Sequence, residues 1–392
     1  MLDSIHVGMT GLAGYARGLR VIANNTANLH TPGFKGSRLQ FTDLFYASAG
    51  TAGGSTEQLG HGLGTAGTQL DFRAGELRQT GNDFDLALDG EGLFTLQAAD
   101  GGRRYARAGQ FEFNADGVFI DRIDGSRVLG LDAAGNEVDI RLDGLRSSAG
   151  QATATARFTG NLSSTVSEHT VNSVKVHDAL GEEHVLSLKF TRDGAAEAAS
   201  WKLELFDGAT SVGTGQLVFE DGRPSAATAR PVFTYAPAGR TPVPITFDFS
   251  SDVTSFASGN LSSLALSGQD GYAPGALTKL GFDARGALVA TYTNGQMAQG
   301  ARLLLGRFLA PDAVQAVGGN RFVATSGSGW QAGGAGDGGF GAVRAGVLEV
   351  SNVDLSREFS DLVILQRGYQ ASSQVISTAN DMLQELFRMK AK

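Results

Sequence analysis

Apolar residues recur along the first part of the chain at Ile5, Met9, Leu12, Ala16, Leu19 and Ala23, with Thr26 continuing the series, in alternating steps of four and three. That spacing keeps one stripe on one side of a helix. Asp3 and Ser4 are suited to cap its opening turn. Pro32 restricts Thr31 to extended conformations, and Thr31-Pro32-Gly33-Phe34 offers Pro and then Gly at the centre of a type II turn, so the helix is expected to end near Asn28 to His30. A second helix is predicted from Ser351-Asn352-Val353-Asp354, a Ser-x-x-Asp start signal, to the end of the chain. Its stripe runs through Leu355, Leu362, Leu365, Tyr369, Ser372, Ile376, Ala379, Leu383 and Leu386. At 1.5 Å per residue such a helix spans roughly 50 Å, longer than a domain core needs. Arg388, Lys390 and Lys392 suit its C-terminal dipole.

A second face of the first helix carries Gly8, Gly11, Gly14 and Gly18 within about a third of its circumference. Four interior glycines cost about 3 to 4 kcal/mol of helix propensity relative to alanine. The helix is therefore expected to form poorly alone and to need neighbours on two faces, since small residues let another backbone approach closely. The two terminal stripes can pair within one chain, parallel or antiparallel, or between copies. Polar Ser372 and Thr26 leave a private two-helix seam unable to exclude water, so intrachain pairing completed by neighbours is expected.

Between the helices the pattern changes to short alternating runs. Phe84–Leu88, Leu93–Gln97, Gln110–Phe113 and Val118–Asp121 read as strands, the last two joined by Asn114-Ala115-Asp116-Gly117. Ser173–His177 and His184–Phe190 read as a hairpin through Asp178-Ala179-Leu180-Gly181, and further turns fall at Asp207-Gly208, Asp221-Gly222 and Asn294-Gly295. Composition shifts near 145 and 268. The expected class is mainly β with terminal α-helices: residues 1–72 and 343–392 form a coiled-coil-like helical core domain with its connecting segment, 73–144 and 269–342 an inner antiparallel β domain, and 145–268 an outer β domain inserted in it.

Composition narrows the function. Glycine is 55 of 392 residues, about twice the ~7% average and without a collagen period, which fits many tight turns. A net charge of −8 without a basic run argues against nucleic acid as a partner, and no apolar stretch reaches the roughly 18 residues that membrane insertion needs. Met1-Leu2-Asp3-Ser4-Ile5 has neither a basic n-region nor an apolar h-region, so export by a cleaved Sec signal is not expected. Cysteine is absent, which removes disulfides, thiolate metal sites and thiol nucleophiles, and which suits a chain exported unfolded.

Candidate chemistry is weak. Asp83, Asp85, Asp89 and Glu91 miss the ligand spacing of a calcium loop and read as solvated acids at strand ends. Gly62-Leu63-Gly64-Thr65-Ala66-Gly67 fits G-x-G-x-x-G, but no apolar strand precedes it and no helix follows. His177 and His184 flank a hairpin and could face each other, with His169 nearby, but lack a third ligand and read as solvent-facing. With no nucleophile elbow, P-loop or His-Glu-x-x-His, neither catalysis, cofactor nor metal is expected.

Several segments are then recognisable. Ala23 to Lys35 resembles the signature of flagellar axial proteins, Ala-Asn-Asn-Ile-Ala-Asn-x-x-Thr-Pro-Gly-Phe/Tyr-Lys, with Thr26 in place of isoleucine. Gly346 to Leu355, followed by Leu365-Gln366-Arg367-Gly368-Tyr369-Gln370-Ala371-Ser372-Ser373-Gln374, resembles the closing motif of the same family, and Asp85 to Phe94 its inner-domain motif. Within the family, rod subunits lack a large outer insertion and hook subunits carry one; Tyr46 to Gly64 resembles an extra segment of distal rod subunits.

The resemblance implies a hook-type subunit that polymerises with itself into a bendable tube, a universal joint transmitting torque for motility. It implies location in the extracellular hook of the flagellum and export by the flagellar type III apparatus. The partners it implies beyond further copies are the distal rod, hook cap and hook-filament junction proteins. The assembly and helix-packing residues would be Ile5, Gly8, Met9, Gly11, Leu12, Gly14, Gly18, Leu19, Asn24, Asn25, Asn28, Pro32, Gly33 and Phe34 at one end. At the other they would be Asn352, Leu355, Leu362, Leu365, Tyr369, Ile376, Leu383 and Leu386. The alternatives are a distal rod-like subunit and, from a different class, a secreted β-rich adhesin.

Overall fold

The computed structural model describes residues 2–52, 55–194, 199–310, 313–325 and 329–390. Two helices, α1 (Leu2–Ala27) and α2 (Leu355–Lys390), bracket a chain of strands. The chain divides into two compact units, one of Met1–Asp143, Gly281–Val289 and Gln299–Lys392, the other of Gly144–Leu280 and Ala290–Ala298.

α1 begins at Leu2, so Asp3 lies inside the first turn rather than capping it, where its charge still favours the dipole. The predicted stop holds. The Phe34 amide bonds the Thr31 carbonyl at 3.2 Å and Gly33 takes φ +64°, closing the turn after the helix. The start of α2 differs from expectation: Asp354, not Ser351, is the cap, its Oδ1 accepting the amides of Ser356 at 2.9 Å and Arg357 at 3.3 Å, while Ser351 is buried. The basic end at Lys390 and Lys392 lies outside the described side chains.

In the first unit, Leu93–Gln97 pairs with Arg103–Ala106 and Arg127–Leu131, and an edge-on ring contact of Phe94 with Phe111 at 5.0 Å sits in the core. Chain entering and chain leaving run side by side: Leu77–Gln79 pairs with Val347–Glu349, and Leu86–Asp89 with Ala342–Ala345. Ser37–Asp43 and Leu63–Leu70 form an antiparallel ribbon, and Tyr46–Ala52 and Ser55–Gly60 a hairpin; side chains 47–59 of the long 46–64 segment lie outside the described set.

The second unit packs a five-stranded sheet, Glu168–His177 through Arg223–Pro224 in chain order, on a four-stranded sheet over one apolar core that includes Phe158, Phe190, Trp201 and Phe247. Residues Val243 to Phe249 alternate inward and outward as a half-buried strand should. Thr155–Asn161 runs parallel to Val243–Thr254, an exception to the antiparallel body expected from the hairpin signals.

Three expectations about polar residues are corrected here. Asp85 is buried and paired with Arg122 and is not a solvated acid, whereas Asp83, Asp89 and Glu91 are exposed as expected, Asp89 meeting Arg344 at 2.5 Å and Glu91 Arg307 at 3.5 Å at the surface. His177 pairs across the ladder with Glu183, and Val176 with His184, which sends the two histidines to opposite faces. His177 is buried, its Nδ1 lying 3.3 Å from Gln269 Nε2.

Candidate assembly site

The glycine face of α1 is the face that meets α2. A Cβ added at Gly8 would lie 2.7 Å from Ile376 Cγ1, at Gly11 2.7 Å from Ser372 Oγ, and at Gly18 2.6 Å from Leu365 Cδ1. On the opposing helix, a Cβ at Gly368 would lie 2.6 Å from the Tyr15 ring. Each step forward on α1 is matched by a step back on α2, so the helices form an antiparallel hairpin with small residues at the closest approach. Gly14 instead faces the ribbon, where Leu63 Cδ2 would lie 2.8 Å from an added Cβ. The glycine face thus serves two neighbours within one chain.

The apolar stripe expected to make the seam is left partly open. Met9 is exposed, Ile5, Leu12 and Leu19 are half-buried, and Asn24 points to solvent. On α2, Leu362, Leu365, Ile376 and Leu383 line the seam half-buried, whereas Leu355, Tyr369 and Leu386 are exposed beside it. Among the described α2 side chains Ala379 alone is buried. Gly18→Val is expected to weaken the hairpin by about 1 to 3 kcal/mol through overpacking against Leu365. Faster amide exchange along α2 reads it, and Leu365→Ala in the same chain should recover part of the loss.

The hairpin is tied to the strands by asparagines. Asn25, 2% exposed, donates through Nδ2 to the Ser37 carbonyl at 2.8 Å and to Glu358 Oε1 at 3.1 Å, and its Oδ1 accepts the Ser37 amide at 3.1 Å. Asn352 accepts the Gly36 amide at 2.8 Å and donates to the carbonyls of Asp71 at 2.7 Å and Arg73 at 3.0 Å. These side chains satisfy backbone groups that the chain crossing would otherwise bury unpaired. Asn28 accepts the Thr31 hydroxyl at 3.0 Å and steadies the turn. The Pro32 carbonyl takes Asn320 Nδ2 at 2.7 Å, the Gly33 amide bonds the Glu349 carbonyl at 2.7 Å, and the half-buried Phe34 accepts the Asn352 amide at 3.3 Å. Gly33 cannot carry a side chain here, because a Cβ would lie 2.5 Å from the Ala108 nitrogen.

Beneath this crossing lies a buried ionic triad that the sequence reading missed. Lys35 Nζ sits 2.6 Å from Glu349 Oε1 and Arg107 Nε 2.5 Å from Glu349 Oε2, all three side chains being at most 4% exposed. Further donors are used: Lys35 bonds the Arg73 carbonyl at 2.7 Å, and Arg107 the carbonyls of Leu88 and Gly90 at 2.8 Å. The Gly75 amide adds a bond to Glu349 at 2.9 Å. Burial pushes the Glu349 carboxyl up, but Arg107, Lys35 and the Gly75 amide outweigh it and hold the carboxyl below its ordinary range. Burial pulls the Lys35 ammonium down by more than Glu349 restores. The one available signal was a single acid inside the apolar run Val347-Leu348-Glu349-Val350.

Elsewhere, Asp178, Glu182 and His184 lie together, with ligand atoms within 4.8 Å of one another, but Arg240 bridges Glu182 at 2.7 Å and Asp178 at 3.6 Å and supplies the positive charge itself. No helix among the described residues is long and apolar enough to cross a membrane.

Residues 344–389 match the family described as flagellar basal body rod FlgEFG protein C-terminal, and 145–272 that described as flagellar basal body protein FlaE D2 domain. The flagellar hook protein FlgE of Escherichia coli is 29% identical over 412 residues, covering 97% of this chain and 98% of the relative. That of Borreliella burgdorferi is 26% identical with 100% of both chains covered, and that of Salmonella typhimurium 28% identical with 99% and 100% covered. The fold is similar to the crystal structure of Helicobacter pylori flagellar hook protein FlgE2, with a TM-score of 0.52 and 11% identity over 70% of this chain and 100% of that one. Motifs at both ends, the matched insertion and relatives spanning the full length agree in their likeness to flagellar hook proteins.

Proposed function

We propose that this chain is the structural subunit of a flagellar hook, assembling with copies of itself into a bendable tube that carries torque from rod to filament. The observation that carries this reading is the helix hairpin: it is closed on its glycine face within one chain, yet it leaves Met9, Ile364, Val375, Met382 and Leu386 exposed. Apolar stripes of that length on a helix pair ask for further helices. A contact between unlike surfaces of identical copies does not close and builds an open helical filament. The terminal helices would form the wall around the channel, with the β units outside it, and the helical core, inner and outer domain division expected from sequence goes with that layering.

The same reading makes the protein non-enzymatic, exported unfolded by the flagellar type III apparatus, and joined at its ends to distal rod, hook cap and hook-filament junction proteins. Electron microscopy of the purified chain tests it. Hollow tubes are expected, and a protein that stays dispersed under all polymerising conditions would sink the proposal. Circular dichroism should also find less helix in the dissociated subunit than in the tube, because a glycine-rich helix pair with one open side is marginal until covered. Equal helicity in the two states would contradict that part.

A further inference from the structure

A cavity of about 820 Å³ in the first unit opens beside the root of the ribbon. Phe72, Leu93 and Phe308 give it apolar walls, and Arg38, Arg73 and Arg307 stand around it. Its lining carries five basic side chains against Asp71 and Glu91, and Glu349 beneath the floor neutralises one more. Two positive charges are left over. The Nε of Arg307 is buried without an acceptor among the described residues. The site is therefore shaped for an aromatic group accompanied by a carboxylate.

The far end of the same ribbon presents that chemistry. Asp43-Leu44-Phe45-Tyr46 leaves Leu44 40%, Phe45 63% and Tyr46 57% exposed, and His61 stacks on Phe45 at 4.6 Å between ring centroids. Its own cavity is out of reach. The ladder fixes Ser37 opposite Leu70 and Asp43 opposite Leu63, and five residues of strand separate Arg38 from Asp43 by about 17 Å.

We propose that the cavity receives the Asp43-Leu44-Phe45-Tyr46 tip of a second copy of this chain, with Phe45 between the aromatic walls and Asp43 facing the arginines. The proposal rests on the reading of the chain as a self-assembling subunit. A tip-to-root contact is heterologous: each copy offers a tip to one neighbour and a cavity to another, so the contact propagates as a row.

The absence of cysteine gives a background-free test. Tyr46→Cys and Ala74→Cys, placed together in the full chain, should on oxidation of assembled tubes yield a ladder of covalent dimers, trimers and higher species. Two single-cysteine chains mixed should yield dimers only, and either alone none. Tubes that give no ladder would overturn this contact and leave the hook reading standing; an unmodified chain that forms no tubes would remove the reading itself. Phe45→Ser serves where the paired cysteines disturb assembly. Since Phe45 is mostly exposed and its ring contact is the stack with His61, the variant should lower the unfolding midpoint only slightly while raising the critical concentration for polymerisation about tenfold or more. An unchanged critical concentration would count against the site.

Discussion

Removal of residues 356–392 is expected to abolish tube formation while both β units stay folded. The deleted segment is nearly all of α2, whose described side chains apart from Ala379 are exposed or half-buried, and none of them belongs to the apolar core of the second unit. The strand pairs that admit and release the chain end at Glu349 and are retained. What is lost is the partner of Gly8, Gly11 and Gly18. Without it α1 must bear about 3 to 4 kcal/mol of glycine cost with one apolar stripe and no opposing helix. Both helices therefore fail together, although only one is deleted. Deleting residues 1–30 should have the same outcome. Negative-stain microscopy and sedimentation report the tubes, and circular dichroism should retain the strand signal while losing helix beyond the residues removed. A truncated chain that still polymerises would refute the assembly role of the termini.

Glu349→Gln should destabilise the first unit by about 3 to 5 kcal/mol, the range found when one partner of a buried ion pair is removed. The glutamine keeps an oxygen for the Gly75 amide but leaves the Lys35 and Arg107 cations buried with no counter-charge. Adding Lys35→Met should recover part of the loss, because one uncompensated charge is then gone. The pH dependence follows from the carboxyl being held below its ordinary value of 4.5. A depressed acid contributes stability that is fully present above the unfolded value and is lost as pH falls through the folded one. The gap between native and variant in urea unfolding should thus be constant near neutrality and shrink below about pH 4.5. A gap that widens in acid would contradict the assignment.

Much of this architecture was legible because it is local. A heptad-like stripe, a Thr-Pro-Gly-Phe turn and an Asp-Gly hairpin each act within a few residues, and the strand Leu93–Gln97 falls where alternation and turn signals put it. The close approach at the glycine face of α1 was legible, but which neighbour takes it was not, because hydrophobic periodicity marks where apolar area lies, whereas Gly8, Gly11 and Gly18 gain contact by backbone proximity that periodicity does not measure. The triad was missed for another reason. Lys35, Arg107 and Glu349 come from distant parts of the chain, and a lone charged residue in a strand has many possible fates. The parallel pairing of Thr155–Asn161 with Val243–Thr254 needs a long crossover that no turn motif announces. The facing of His177 and His184 depends on ladder register, and a bulge between Val171 and Val174 shifts that register within the same pair.

The side-by-side entry and exit of the chain has a mechanical consequence. Leu77–Gln79 and Val347–Glu349 are hydrogen-bonded to each other, one leading from α1 and the other towards α2. A pull on the hairpin as a whole loads both strands in the same sense, and the ladder between them carries no separating force. A twist that advances one helix past the other loads that ladder along the strands, where its bonds are strained together and not opened one after another. The junction therefore passes on a common pull without opening the ladder and resists sliding of one helix past the other.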